Sequence, residues 1–437
     1  MSFESFKLDA KIMAGLKAHG YETPTPIQKQ SIPHVMQGRD VLGLAQTGTG
    51  KTAAFALPIL QRLLHSPARG QIRALVIAPT RELVDQIHSQ FVALGRNTGL
   101  RSATVYGGVG MGPQISSLKG RAEIIIACPG RLLDHMEHGV GDFTKLEVLV
   151  LDEADHMFDM GFLPDVRKIL KRLPHKRQNL LFSATMPESI RHLAHECLLN
   201  PVTVQVDHTV PLETVSHALY PVPPHLKTAL LLELLRPTHM ESVLVFTRTK
   251  HRAKRLDAVL KGAGFKATSL QGNLSQNRRK EAMDGFRDGR FDIMVATDIA
   301  ARGIDVSQIS HVINFDIPGT PEAYTHRIGR TGRAAKTGDA YTFVSQEDDG
   351  MVREIERRMG NRIERRKLEG FDYTKAASNE HSFKRGPHAQ QQRHSHAPRH
   401  GNSSSHSHSR PGAPVAAGSG QPSKHTWGNR HAKRLSR

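Results

Sequence analysis

One short stretch of the sequence carries the residue types needed to hold a polyphosphate. Residues 45–52, AQTGTGKT, follow the apolar run Val41–Leu44 and precede a segment that predicts a helix. Such a loop turns backbone N–H groups toward phosphate, and the helix N-terminus adds its positive dipole end. Lys51 would neutralise the β- and γ-phosphates of a nucleotide, and the Thr52 hydroxyl would ligate Mg²⁺. The alternative is a chance glycine-rich turn, because the general pattern has glycine in place of Ala45. The loop residues between are Thr47, Gly48, Thr49 and Gly50.

A second group of candidate residues comes directly after another apolar run. Val148–Leu151 is followed by Asp152, Glu153 and Asp155. In nucleotide hydrolases a carboxylate at this point holds Mg²⁺ through water, and its neighbour orients and deprotonates the attacking water. We therefore predict Asp152 as the metal residue and Glu153 as the general base. Taken alone, the same acids could simply cap the next helix.

The second half of the chain has no phosphate loop of its own but holds a dense cationic run, HRIGRTGR, at residues 326–333. Arginines three apart on a helical turn share one face, and guanidinium groups are suited to a γ-phosphate. Arg330 and Arg333 are therefore candidates for completing the nucleotide site from a second domain. The alternative is a solvated basic helix. If both halves contribute, the site is complete only when two domains close, so nucleotide state can drive domain motion.

The elements that must position these residues alternate regularly. Apolar strand-like runs are followed by glycine or proline turns or by helix starts, at 41–44, 74–78, 104–106, 124–127, 148–151, 179–182, 243–246, 291–296 and 312–315. This pattern predicts an α/β fold with two tandem domains, each a parallel sheet covered by helices. Ligands of such sheets bind at the carboxyl ends of the strands. The polar loops there, Thr80-Arg81, Gly107-Gly108 and Gly130-Arg131, are expected on the same rim as Lys51, or near it.

Length and composition set the domain organisation and the class of partner. The chain has 437 residues, too many for one ordinary core. We predict a nucleotide-binding domain at 1–206, a linker at 207–216, a second domain at 217–370 and a tail at 371–437. The net charge of +19 favours a polyanionic partner, nucleic acid rather than a membrane. The two cysteines lack metal-binding spacing, and the N-terminus has no apolar signal segment, so a reducing, cytoplasmic location is expected.

The tail differs in composition from the rest of the chain. Residues 379–437 hold ten Lys/Arg, one acid and nine histidines among many Ser, Gly and Pro. Such a segment cannot bury enough apolar area to offset its chain entropy, so we predict disorder. A basic disordered tail raises nucleic-acid affinity without sequence preference and makes the binding salt-sensitive. Metal binding by His394/His396 or His406/His408 is the less favoured alternative.

Taken together, the motifs make the chain similar to the DEAD-box RNA helicases over about residues 1–370, and its ends and spacing look most like the bacterial RhlE-type group. Alanine is the usual residue of that family at the position of Ala45, so this departure from the general phosphate-loop pattern supports the resemblance. The resemblance rests on many ordered motifs: Phe3 with GYETPTPIQ at 20–28, residues 45–52, PTREL at 79–83, Gly107-Gly108, DEAD at 152–155, SAT at 183–185, VFT at 245–247, Gln276 with Arg279, TDIAARGID at 297–305 and residues 326–333.

The resemblance implies that the two tandem domains are RecA-like, and it implies roles for individual residues. Phe3 would stack on adenine and Gln28 would recognise its edge, although from the loop alone a capping Gln is favoured. Asp305 would contact the ribose, and Arg330 and Arg333 the γ-phosphate. Residues expected to link ATP state to RNA binding are Asp155, Ser183, Thr185 and His326, although from the pattern alone SAT is a plain turn. Residues expected along the RNA backbone are Arg81, Gly108, Gly130, Arg131, Arg279, Thr297 and Gly303. The family usually has Thr in place of Cys128, so a weaker contact to RNA is expected there.

The function implied is an ATP- and Mg²⁺-dependent RNA helicase with a monomeric core, which binds single-stranded RNA and short duplexes through their backbone and without sequence preference. Ribosome assembly and RNA decay are both possible settings, with their factors as partners. Two alternatives stay open at this point. One is an ATP-gated RNA clamp or scaffold with little unwinding, and the other is a DNA helicase, which the resemblance disfavours.

Overall fold

The computed structural model describes residues 2–46, 48–65, 70–206, 215–236, 240–301, 309–332 and 338–376. In this part of the chain the strands form two seven-stranded sheets, and every strand pair is parallel. Helices cover both sheets and their apolar faces form the cores. The predicted fold of two tandem parallel α/β domains is therefore confirmed. Within the described residues, no helix combines the length and apolar character needed to cross a membrane.

The first domain begins with a short 3₁₀ helix at Phe3–Phe6 and then alternates helices and strands. Asp9 caps the first α-helix by accepting from the backbone N–H of Lys11 at 2.8 Å. The elements in chain order are α1 Ala10–Ala18, α2 Pro26–Met36, β1 Val41–Leu44, α3 Lys51–His65, β2 Ala74–Ile77, α4 Arg81–Leu94, β3 Ser102–Val105, α5 Met111–Lys119, β4 Ile124–Ala127, α6 Pro129–Glu137, β5 Val148–Leu151, α7 Ala154–Asp159, α8 Leu163–Leu170, β6 Gln178–Ser183, α9 Glu188–Cys197 and β7 Val202–Gln205.

The strand order of the first sheet explains why the candidate residues come together. That order is β3-β4-β2-β5-β6-β1-β7, so β6 lies between β1 and β5. The phosphate loop follows β1, the acidic pair follows β5, and Ser183 ends β6 between them. Gly43 of β1 is packed so closely against β6 that a Cβ atom there would lie 2.4 Å from the Phe182 ring. Parallel strands therefore deliver all three loops to one edge of the sheet.

The second domain repeats the arrangement with strand order β10-β11-β9-β12-β13-β8-β14. Short 3₁₀ helices occur at Pro224–Leu226 and Gln346–Asp348. The other elements in chain order are β8 Val215–Pro221, α10 Lys227–Leu235, β9 Val243–Phe246, α11 Lys250–Gly262, β10 Ala267–Leu270, α12 Gln276–Arg287, β11 Ile293–Ala296, α13 Asp298–Ala301, β12 His311–Asn314, α14 Pro321–Ile328, β13 Gly338–Val344, α15 Asp349–Met359 and β14 Glu364–Arg365.

Two predicted boundaries need correction. The linker was expected to extend to residue 216, but Val215 and Ser216 already pair with β13 as the start of β8. Val215 is 2% exposed, and this burial explains why the strand begins there. Residues 207–214 of the predicted linker lie outside the described residues.

The second domain also extends past the boundary expected at residue 370. Phe371 and Tyr373 pack against its core, and the Tyr373 hydroxyl accepts from the backbone N–H of Leu368 at 2.8 Å. These aromatic contacts fix the chain beyond the last strand, so the expected start of the tail at 371 is too early. The remainder of the tail, from residue 377 onward, lies outside the described residues.

Candidate functional site

The phosphate loop wraps around the N-terminus of α3. Gly48 and Gly50 have φ angles of +86° and +90°, a backbone conformation that favours glycine. The Lys51 ammonium donates across the loop to the Ala45 carbonyl at 2.7 Å. The Thr49 hydroxyl donates to the Gln46 carbonyl at 2.8 Å. The lysine head group is thereby held at the helix N-terminus, where phosphate oxygens bind.

Gln28 joins the loop of the sequence motif GYETPTPIQ to the phosphate loop. Its Oε1 accepts from the Thr25 backbone N–H at 2.9 Å, and its Nε2 donates to the Gly50 carbonyl at 3.0 Å. It is therefore both a helix-capping residue and a brace for the phosphate loop. The Phe3 ring is 3% exposed and makes edge contacts with Phe6 and Tyr21, each at 6.1 Å between centroids. The adenine roles of Phe3 and Gln28 stay predictions.

The acidic pair, Asp152 and Glu153, lies at the end of β5, and the pKa values of the two carboxyl groups are shifted in opposite directions. Asp152 and Glu153 are each 2% exposed, and the Glu153 backbone N–H donates to Asp152 Oδ1 at 3.0 Å. Burial raises the pKa of Asp152 to about 7, against the opposing charge of Lys51. Burial would also raise the pKa of Glu153, but a hydrogen bond from His156 and the charges of His156, Lys51 and Arg330 outweigh it, so that this pKa is lowered. Glu153 is therefore ionised, as a general base must be.

Asp155 connects the acidic pair to β6. Its Oδ2 accepts from both the backbone N–H and the hydroxyl of Thr185, each at 2.9 Å. Ser183 accepts from the Asp155 backbone N–H at 3.2 Å and donates to the Thr185 carbonyl at 2.7 Å. Burial opposes ionisation of Asp155, but the charges of His156 and Lys51 and the Thr185 hydrogen bond lower its pKa. The three residues thus form one hydrogen-bonded unit beside Asp152 and Glu153.

The second domain supplies the opposite wall of this site. A cavity of about 490 Å³ is lined by Asp155, His156 and Thr185 from the first domain and by His326 and Arg330 from the second. The charge of Arg330 acts directly on Glu153, so its guanidinium lies near the acids. Burial, together with the charges of His156 and Arg330, lowers the pKa of His326 to about 4. His326 is therefore neutral near pH 7.

A second cavity, of about 540 Å³, also lies between the two domains. It is lined by five of the residues expected along a nucleic-acid backbone, namely Arg81, Gly130, Arg131, Arg279 and Thr297. Gly108 packs against the Arg81 guanidinium at its edge. We refer to this cavity as the basic groove. Cys128 also lines it, and burial, reinforced by the charge of Glu82, raises the pKa of its thiol to about 12.

Two side-chain contacts join the domains at the floor of the basic groove. Arg279 Nε donates to Glu82 Oε1 at 2.7 Å, and the two side chains are only 12% and 8% exposed. Arg81 donates to Gln276 Oε1 at 3.1 Å. Side chains that line the basic groove therefore also form contacts between the two domains.

Comparisons with known proteins agree with this geometry. The family model of the DEAD/DEAH box helicases matches residues 25–193, and that of the helicase conserved C-terminal domain matches residues 226–335. The DEAD-box ATP-dependent RNA helicase CshA of Bacillus licheniformis is 41% identical over 373 residues, 85% of this chain and 76% of its own. The chain belongs to the DEAD-box ATP-dependent RNA helicases.

Solved structures of DEAD-box proteins share the two-domain fold. A variant of S. cerevisiae Dbp5 bound to RNA and ADP BeF3 is 30% identical and matches 84% of this chain and 95% of its own, with a TM-score of 0.77. The same variant bound to Gle1 and IP6 matches equal shares of both chains with a TM-score of 0.70.

Four of the site residues predicted for this DEAD-box protein, Thr47, Gly303, Asp305 and Arg333, lie outside the described residues. One expectation was wrong. Residues 326–332 do not form one helical face, because α14 ends at Ile328 and Arg330 lies in the turn that follows. Arg327, on that helix, instead pairs with Asp298 at 2.6 Å inside the second domain.

Sequence reasoning missed several residues of the DEAD-box site. His156, which follows the DEAD sequence, donates to Glu153. Glu82, which lies within PTREL, binds Arg279, but no role was predicted for either residue. Arg248 and Lys250 line the basic groove after β9. Arg248 and Lys250 could have been predicted by applying to β9 the rule that ligands bind at the carboxyl ends of parallel strands.

Proposed function

We propose that this DEAD-box protein is an RNA-dependent ATPase that locally unwinds short RNA duplexes and remodels RNA–protein complexes by closing its two domains on single-stranded RNA. One observation carries this proposal. Both domains line the cavity beside the catalytic acids, and both line the basic groove. Closure therefore completes the nucleotide site and the RNA site in a single movement.

At the nucleotide site, each residue has a distinct task. Lys51 and the amides of residues 48–52 would bind the phosphates, and ionised Glu153 would orient the attacking water and accept its proton. Arg330, together with Arg333, would stabilise charge on the transferred phosphoryl group. Phe3, Gln28 and Asp305 would fix the adenosine.

The residues present also fit Mg²⁺. The Thr52 hydroxyl and the Asp152 carboxylate are the hard oxygen donors that this ion prefers. Burial raises the pKa of Asp152 to about 7, and a nearby cation would keep such a carboxylate ionised. When bound, Mg²⁺ would neutralise charge on the β- and γ-phosphates.

At the basic groove, the protein would contact sugar and phosphate rather than bases. Arginines and the exposed backbone at Gly108 and Gly130 suit such contacts, which position RNA without reading its sequence. Closure onto one strand would separate it from its complement over a short length, and hydrolysis would release it. The likeness to the S. cerevisiae Dbp5 variant bound to RNA and ADP BeF3 supports RNA binding of this kind.

The finer assignments remain part of the proposal. The curated relative reported above carries the name CshA, so the RhlE-type subgroup rests on the sequence motifs alone. A monomeric core, a cytoplasmic location and partners in ribosome assembly or RNA decay are proposed on the same basis. Cys128 and Cys197 are free thiols, which agrees with a reducing compartment.

The decisive experiment is ATP hydrolysis by the Glu153→Gln variant, with and without RNA, beside displacement of a short RNA duplex. We expect RNA-stimulated turnover to fall by about 10²-fold or more, because a general base is removed, while RNA binding with an ATP analogue persists. Full-speed hydrolysis by this variant would refute the proposed mechanism. Wild-type turnover without strand displacement would favour the clamp, and equal stimulation by DNA would favour a DNA helicase.

A further inference from the structure

His156 is the residue most closely engaged with the proposed general base. Its Nδ1 lies 2.9 Å from Glu153 Oε2, and the two side chains are only 4% and 3% exposed. Because Glu153 is ionised and can only accept, Nδ1 must carry the proton and donate. A buried hydrogen bond to a carboxylate oxygen restricts the rotation of that carboxylate.

The backbone of Glu153 is fixed by the same short segment. Its φ of +52° lies in the left-handed region, which is uncommon for a residue with a Cβ atom. His156 lies one helical turn further along α7, so its side chain can reach back to Glu153. Backbone and side chain of the general base are thus both held by α7.

His156 also faces the second domain. Its ring meets the ring of His326 edge to face, with centroids 5.5 Å apart and planes at 86°. His326 belongs to α14, so this contact exists only when α14 lies against α7. The charged or titratable groups acting on these residues are Lys51, Glu153, Asp155 and Arg330.

We propose that His156 is a positioning residue for ATP hydrolysis, which holds the Glu153 carboxylate through Nδ1 and is itself seated by His326 when the domains close. The inference rests on the proposed role of Glu153 as general base. It adds a route by which domain closure reaches the attacking water through a side chain outside the recognised motifs. In the open protein, His156 would lose the contact with His326 and hold the Glu153 carboxylate less firmly, so ATP hydrolysis would be slow.

Two amide substitutions test the proposal, because they place an N–H at different points. Asn mimics the Nδ1 position of histidine, and Gln mimics the Nε2 position. We expect His156→Asn to keep at least half of the RNA-stimulated kcat, and His156→Gln to lose about tenfold or more. KM for ATP and RNA affinity with an ATP analogue should stay within about twofold in both, because neither depends on the orientation of the Glu153 carboxylate.

The split between kcat and KM supplies a readout that a packing role would not move, because loss of the donor should lower kcat alone. Equal kcat values for the two variants, at any level, or a change in KM as large as the change in kcat would overturn the inference. Thermal melting and analogue binding confirm that each variant is folded. Unimpaired hydrolysis by Glu153→Gln would instead refute the proposed function itself.

Discussion

Gly108 and Arg81 lie so close together that residue 108 has room only for glycine. A Cβ atom at position 108 would lie 2.0 Å from the Arg81 guanidinium nitrogen Nη1, and the φ of Gly108 is +82°. Gly108→Ala should therefore strain the loop and displace Arg81 from the basic groove. We expect the RNA dissociation constant to rise by about tenfold, equivalent to ~1.4 kcal/mol.

The neighbouring glycine provides a matched control for that measurement. A Cβ atom at Gly107 would meet nothing closer than an Arg81 nitrogen at 3.6 Å. Gly107→Ala should bind RNA like the wild type, as judged by fluorescence anisotropy with an ATP analogue. Equal losses in both variants would show that the loop, rather than Arg81, is responsible.

Cys128 offers a second test at the level of one side chain. It precedes α6 without making a side-chain cap, and its thiol is a poor donor in the basic groove. Cys128→Thr should lower the RNA dissociation constant by an amount worth about 0.5–1.5 kcal/mol, since a hydroxyl replaces the thiol. Cys128→Val has the shape of threonine without the hydroxyl and should give no gain. An unchanged constant for the threonine variant would contradict the idea.

Among the helices, α6 carries a buried histidine that the proposed mechanism does not use. His135 is 0% exposed, and neither ring nitrogen has a hydrogen-bond partner among the described residues. Burial, assisted by the charge of Arg131, lowers the pKa of His135. The folded protein must therefore keep this ring neutral, while the unfolded chain takes up a proton below its ordinary pKa of about 6.5.

His135→Leu should consequently stabilise the first domain, with the larger gain at lower pH. The contribution of the neutral histidine is fully present above about pH 6.5 and is lost as the pH falls, because only the unfolded state is protonated there. We expect the melting temperature of the variant to exceed that of the wild type more at pH 5 than at pH 8. An exposed histidine on the same helix end, His138→Leu, serves as the control. A gain that does not depend on pH would contradict this reasoning.

The elements that sequence could predict are those whose burial is evident in their own residues. Val148–Leu151 and Val243–Phe246 are continuous apolar runs, and their strand bounds were predicted without error. Strands β10 and β13 were missed because they contain residues such as Thr268, Ser269 and Thr342, which are buried only through their neighbours. Polar residues that are buried only by neighbouring elements carry no local signal of burial.

Across the whole molecule, contacts between the domains were beyond sequence reasoning. Arg279 and Glu82 are separated by 197 positions, and no local pattern pairs them. The motifs did predict that Arg81 and Arg279 belong to one surface, and both line the basic groove. They could not reveal that the same side chains join the domains, because that depends on how two separately folded sheets meet.

The Arg279–Glu82 ion pair can be tested by a double-mutant cycle. Glu82→Gln, Arg279→Gln and the double variant should show a coupling of about 1–2 kcal/mol in domain closure, because the pair is nearly buried. Closure is measured by energy transfer between dyes on the two domains, with RNA and an ATP analogue. The exposed Arg167–Glu196 pair within the first domain should show no coupling to closure. Additive effects at residues 82 and 279 would show that the contact does not stabilise the closed state.

The two domains touch through His326 and His156 at the proposed nucleotide site, and through Arg279 and Glu82 at the proposed RNA site. Because both ligands bind where the two domains meet, their binding free energies are coupled. If RNA raises the affinity for a non-hydrolysable nucleotide by some factor, the nucleotide must raise the affinity for RNA by the same factor. Titrating each ligand in the presence and absence of the other would reveal this symmetry, and loss of the terminal phosphate would then release RNA without any separate exit signal.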